Sequence, residues 1–502
     1  MRTKIAIAVV LMLVVAGCSQ APGAGTTTDT TGAPTTQPGS DTQTVRQDAV
    51  VKPDDPESDV LGWEAGLWYN ETVDVTPDDG LNETELNKTV ARSMARVERI
   101  RQLEFDQQVP VEIMTREEFR SNQSNGATPA DRRVFDNAKY ESLFMINESA
   151  DSIAVQNRNS GSSVGGYYSP SKDSIVVIAD SGSTDAPKLP ELTLAHELTH
   201  ALQDQQFGLG GLNQSTRELH NAKDGLIEGS ANYVQHRYSQ RCKSTWNGTC
   251  LTPSSSSGSG GGIANMGAYL IKFQPYSDGP AFVRGVKKKG GWEAVNDLYN
   301  NTPESTEQII HPEKYGTDSP AEFSIENRTS GGWERVTLEN RPSYGSVGEA
   351  GIFSMFMYPF YDSNQQTQII PARDFFNRKK GSSQLRAVDP LNYNSTYSAG
   401  WDGDKLAVFT NDRAKANETG YVWKSVWDSE QDASEFLTGY RKVLKYNGAK
   451  KVDGRANTWR IPDGNGFSDA FYVKRTGDTV VVVNAPSVSE LSNVRKGAAP
   501  AA

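Results

Sequence analysis

The run Thr193-Leu194-Ala195-His196-Glu197-Leu198-Thr199-His200-Ala201-Leu202 places two imidazoles and a carboxylate at a spacing that can hold and use a metal ion. On an α-helix, residues four apart share a face, so His196 and His200 can grip one ion while Glu197 sits beside it. Two neutral nitrogens leave a divalent ion Lewis-acidic, and a neighbouring carboxylate can take the proton of a water in the open coordination position. The flanks fit a helix buried in a domain. Leu194, Ala195, Leu198, Thr199, Ala201 and Leu202 carry no charge, Pro190 suits a first turn, and nothing up to Gln206 breaks the pattern. The competing reading is an ordinary amphipathic helix with two incidental histidines.

A catalytic zinc takes three protein ligands and keeps one position for water, so a third donor is needed. Glu228, in Asp224-Gly225-Leu226-Ile227-Glu228-Gly229-Ser230-Ala231-Asn232-Tyr233-Val234, is the candidate. A surface glutamate is the alternative, but Leu226, Ile227 and Ala231 make an apolar setting in which an unpaired carboxylate is costly. The Glu-Gly-x-Ala core resembles the third-ligand helix of gluzincin metallopeptidases. Together with His196–Phe207, which reads HELTHALQDQQF, it resembles microbial surface or secreted gluzincin-like proteins, many from halophilic archaea. The resemblance implies that His196, His200 and Glu228 bind Zn2+ and that Glu197 is general base. It also implies a zincin-like domain, its mixed sheet followed by the two motif helices; with the helix and strand pattern beyond residue 331, which reads as a C-terminal α+β domain, the fold class is α+β.

Ligating histidines usually donate their second ring N–H to a carboxylate or carbonyl. Asp224 and Asn232 each lie one helical turn from Glu228 and are expected to support the metal ligands, although Asp224 could equally cap that helix. Asp204 is a weaker option. A hydrolase also needs a donor toward developing negative charge, and His311 or Tyr315 could supply it, a turn histidine before Pro312 being the plainer reading of His311. His220 and His236 read as solvated.

The elements that position these residues begin after an export signal. Arg2 and Lys4 precede an apolar run, Ile5 to Val15, and Val15-Ala16-Gly17-Cys18 resembles a lipoprotein cleavage box over residues 1–17. Lipidated Cys18 would anchor the protein to the outer face of the cell membrane; a cleaved signal with an incidental cysteine is the alternative. Residues 18–55 read as a disordered Thr/Gly/Pro-rich tether. Sequons at Asn70, Asn82, Asn87, Asn122, Asn147, Asn213, Asn247, Asn300, Asn327, Asn394 and Asn417 fit an exported, glycosylated chain. Cys242 and Cys250 are expected to pair in that oxidising setting, and the Ser/Gly tract at 252–262 reads as flexible.

Residues 56–330 are assigned to the zincin-like domain, 331–495 to the C-terminal domain and 496–502 to a disordered tail. The apolar spacing predicts a helix over 85–105, strands over 109–115 and 174–179, and helical material over 275–315. A strand around Tyr167 and Tyr168 would edge a substrate cleft, unless the tyrosines are simply core. Further on, the pattern predicts helices over 346–361 and 432–446 and strands over 406–410, 421–427, 471–474 and 479–483. A net charge of −11 excludes the electrostatic footprint of a nucleic-acid binder. Two function classes remain: a lipid-anchored, zinc-dependent surface peptidase acting on peptide or protein substrates, and a noncatalytic zinc-binding surface lipoprotein. Sequence does not set the oligomeric state.

Overall fold

The computed structural model describes residues 54–76, 79–124, 128–179, 188–212, 214–248, 250–252, 262–411 and 418–502. The export signal, Cys18, nearly all of the expected tether and most of the Ser/Gly tract lie outside these residues. Within them the chain is α+β, and no helix is long and apolar enough to cross a membrane.

A short hairpin of β1 (Trp63–Glu64) and β2 (Leu67–Trp68) precedes α1 (Glu83–Arg101). Asn82 opens α1 with a capping box: its side chain accepts from the Glu85 N–H while the Glu85 carboxylate accepts from the Asn82 N–H. Val90, Met94, Val97 and Ile100 bury the inner face of the helix. Next come β3 (Val111–Thr115), α2 (Arg116–Ser124), α3 (Ala130–Ser142), α4 (Ser152–Ser163), β4 (Gly166–Ser169) and β5 (Ser174–Ala179). β5 is the middle strand, parallel to β3 and antiparallel to β4, which leaves β4 as an edge. Its Ser-Ile-Val-Val-Ile run is buried throughout, as a strand covered on both faces must be.

Four helices follow: α5 (Glu191–Phe207), α6 (Arg217–Cys242), α7 (Met266–Asp297), interrupted at Gly290 and Gly291, and α8 (Thr306–Ile310). Thr216 caps α6 by accepting from Leu219 N–H, so Asp224 lies inside the helix and is not its cap. α6 and α7 touch backbone to backbone at glycines. A Cβ on Gly229 would fall 2.5 Å from the Gly279 carbonyl carbon, far inside van der Waals contact. The disulfide Cys242–Cys250 ties the end of α6 to the loop behind it.

The rest of the chain comprises β6 (Trp333–Arg335), α9 (Gly348–Asp362), α10 (Ala372–Phe375), β7 (Trp401–Asn411), β8 (Thr419–Trp427), α11 (Glu430–Tyr446), β9 (Lys450–Lys451), β10 (Thr458–Arg460), β11 (Ala470–Thr476) and β12 (Thr479–Ala485). Its sheet runs β6-β7-β8-β12-β11-β10-β9, every pairing antiparallel. Asp404, at the start of β7, is buried and accepts from the indoles of Trp401 and Trp423, from Ser346 Oγ and from the N–H groups of Val347 and Gly348. One carboxylate thus joins the sheet to the N-terminus of α9, where a negative charge is favoured.

The hydrophobic core does not divide at residue 331. Leu143 to Ile146 and Leu270, Ile271 and Phe273 of the first region share one continuous cluster with Ile352, Phe356, Trp423 and Phe436 of the second. The expected disordered tail is instead ordered, because Ala498 and Ala499 are buried and the backbone of 499–502 bonds to Gly454, Arg455 and Ala456.

Candidate metal centre

α5 carries His196 and His200 on the face turned toward α6, and α6 presents Glu228 to them. His196 Nε2 lies 3.1 Å from His200 Nε2, and Glu228 Oε2 lies 3.2 and 3.3 Å from the two nitrogens. A tetrahedral zinc with bonds of about 2.0–2.1 Å separates its ligands by about 3.3–3.4 Å, so this triangle has the size of one face of a zinc tetrahedron. Two imidazole nitrogens and a carboxylate are a donor set that catalytic zinc accepts. The two rings meet at 83° with centroids 4.7 Å apart.

Several groups hold this geometry. His200 Nδ1 bonds Gln203 Oε1 at 2.9 Å, and the Gln203 amide donates to Ile227 O and the Tyr299 hydroxyl. That fixes the ring plane, and with Nδ1 donating it directs the Nε2 lone pair to the centre. Glu228 Oε1 accepts from the Tyr276 hydroxyl of α7 at 2.8 Å, leaving Oε2 to the histidines. His196 Nδ1 is buried with no hydrogen-bond partner among the described residues. Burial raises the carboxyl of Glu228, but His200 and His196 outweigh it and hold the group below its usual range. Burial also pushes the Glu197 carboxyl up, against the pull of both imidazoles.

Glu197 faces β4. A Cβ on Gly166 would lie 3.7 Å from Glu197 Oε1, ordinary van der Waals contact, and the Tyr168 backbone N–H bonds the carboxylate. The Tyr168 hydroxyl turns the other way, to Asp173 and Asp204.

Of the residues expected from sequence, His196, His200 and Glu228 come together with Glu197 beside them. Four do not take the expected positions. Asp224 Oδ2 pairs with His220 Nε2 at 3.2 Å along α6 instead of with a ligating imidazole. Asn232 turns its amide back to Glu228 O, a bond within its own helix. His311 Nε2 bonds the buried Glu349, and the Tyr315 hydroxyl donates to Asn301 O, so both are committed away from the triad. His220 is not simply solvated: burial, with Arg217 and Lys272, pushes it down to about 4. Gln203 and Tyr276 escaped the sequence reading. Gln203 sits one turn beyond His200 and was legible by the same periodicity; Tyr276 arrives from another helix and carries no local signal.

A family model described as a domain of unknown function (DUF8575) matches residues 334–495, the segment from β6 through the last helix, and does not reach the triad. No curated protein matches the chain.

Proposed function

We propose that this chain is a zinc-dependent peptidase of zincin-like architecture, with His196, His200 and Glu228 as metal ligands and Glu197 as general base. The support is the triangle of three ligand atoms at 3.1–3.3 Å, contributed by two helices and braced by Gln203 and Tyr276. Bound zinc would polarise the scissile carbonyl and lower the pKa of its water to about 7. Glu197, buried next to the ligands, takes the proton of the attacking water and passes it to the leaving amine. Burial of this carboxyl strengthens it as a base. The edge strand β4, in contact with Glu197, is placed to pair with an extended peptide. Tyr276 supports Glu228, and His311 and Tyr315, bonded to Glu349 and Asn301, take no part in this reading. Export and anchoring through Cys18 belong to the same proposal, and the Cys242–Cys250 disulfide supports an oxidising compartment.

The test is cleavage of a mixed peptide library by residues 19–502, compared with Glu197→Gln, with zinc content measured in both. Cleavage should fall by about 10²–10⁴-fold at equal zinc, the range for loss of a general base. Equal zinc with no cleavage by either protein would favour the noncatalytic lipoprotein.

A further inference from the structure

Beside the triad, a cavity of about 70 Å³ opens between α4, the start of α6 and α7, several times the room one water needs. Its long wall is aromatic. Tyr269, Phe273 and Tyr276 stack along α7, with successive ring planes 15° and 11° apart, and Tyr276 at the end of the row holds Glu228. Arg217 and Lys272 also line it, and neither has a carboxylate partner among the described residues. Arg217 Nε is buried without a hydrogen bond, and Lys272 Nζ donates only to Ser160 Oγ. Asp224 and Glu228 are near enough to act on Lys272, but at hydrogen-bond range Asp224 meets His220, Glu228 the histidines and Asp136 Lys139. Two cations facing a partly desolvated cavity with no carboxylate in direct contact are costly, and an incoming anion offsets that cost.

We infer that this cavity is a carboxylate-recognition subsite, in which Arg217 and Lys272 bind a substrate carboxylate while the α7 aromatic row packs its aliphatic part. Assigning that carboxylate to a substrate rests on the peptidase reading. Tyr276 lines the cavity and holds the metal ligand Glu228, so the bound carboxylate adjoins the scissile bond. It belongs either to a chain terminus or to an acidic side chain.

Three isosteric probes separate these sources: N-acetylglutamine, whose only carboxylate is terminal; N-acetylglutamic acid α-amide, whose only carboxylate is on the side chain; and neutral N-acetylglutaminamide. Calorimetry in low-salt buffer should show one or both acids binding at least ten-fold more tightly than the neutral probe, in the native protein and in Glu228→Gln alike. Arg217→Met and Lys272→Met should each remove most of that preference without changing zinc content, and Arg217→Lys should restore part of it. Equal binding of all three probes, or a preference that survives the double Met variant, overturns the subsite. A preference in binding with indifferent cleavage of free and amidated or Glu- and Gln-containing peptides overturns the substrate assignment. If no peptide is cleaved at all while the preference persists, the peptidase reading fails and the carboxylate pocket stands.

Discussion

At the scale of single residues, the centre depends on two supports that are not ligands. Gln203 orients His200, and Tyr276 occupies the second oxygen of Glu228. Loss of such a partner typically weakens metal binding by about 10–100-fold. Tyr276→Phe and Gln203→Leu should each do so in a competitive chelator titration, whereas Asn232→Ala should leave affinity within about two-fold because its amide serves only its own helix. A second residue-scale effect lies away from the centre. Glu64 and Glu98 are buried side by side, and burial raises both carboxyls, Glu64 to about 9 and Glu98 to about 7. The unfolded chain gives up these protons near pH 4.5 while the folded chain keeps them, so this pair favours unfolding increasingly as pH rises above that value, until the folded groups ionise. Urea melts should therefore show the wild type losing stability relative to Glu64→Gln between pH 5 and 8, taken as about the physiological span of this linkage. A parallel pH profile for the two proteins would remove the pair from the account. The meeting of His196, His200 and Glu228 is legible in the sequence because its signal is local: an i, i+4 pair, and a glutamate in an apolar helix. Tyr276 and His311 show the limit, since a hydroxyl brought in from α7 and a histidine claimed by Glu349 are decided by tertiary packing.

At the scale of elements, α5 is fixed at its first residue. Glu191 is wholly buried and pairs with Arg92 at 3.0 Å and Arg96 at 2.6 Å, both from α1, and it also accepts from Tyr238 of α6 and from Leu251 N–H next to the disulfide. The metal helix is thereby tied to three neighbours at the end opposite Gly208. Removing one member of a buried ion network leaves charge uncompensated, and Glu191→Ala should cost about 3–5 kcal/mol in denaturant unfolding. In a sequence, basic residues between apolar ones, such as Arg92 and Arg96, resemble a solvated face. In fact Arg92 and Arg96 point into the helix junction, paired with a carboxylate ninety-odd positions away that periodicity cannot see. Helix ends were misjudged for a similar reason: α6 starts at Thr216 through a short polar cap, ahead of the apolar motif that drew attention to Asp224. Strands with strong alternation or continuous burial, such as β5, β8 and β12, were legible, whereas the short β6, β9 and β10 exist only through pairing with longer partners.

At the scale of the whole molecule, the two regions separated by sequence are held by one apolar cluster. The N-terminal half of α7, which carries Tyr276 and Lys272, packs against α9 and shares one apolar cluster with the large sheet. A chain ending at residue 330 would expose Leu270, Ile271 and Phe273. It should bind a hydrophobic dye and lose its cooperative thermal transition; a sharp transition in that fragment would show the first region folding alone. The composition change near Gly331 was visible in the sequence, but a core shared across it was not, since apolar residues do not announce which partners they will meet. The junction of α6 and α7 gives this arrangement a further meaning. Where Gly229 meets Gly279 there is no side-chain layer to compress or repack, so the two helices stand at a separation set by main-chain atoms alone. That contact works as a gauge block: residues along α7 can be exchanged to reshape the neighbouring cavity while the distance from α7 to the helix of Glu228 stays constant.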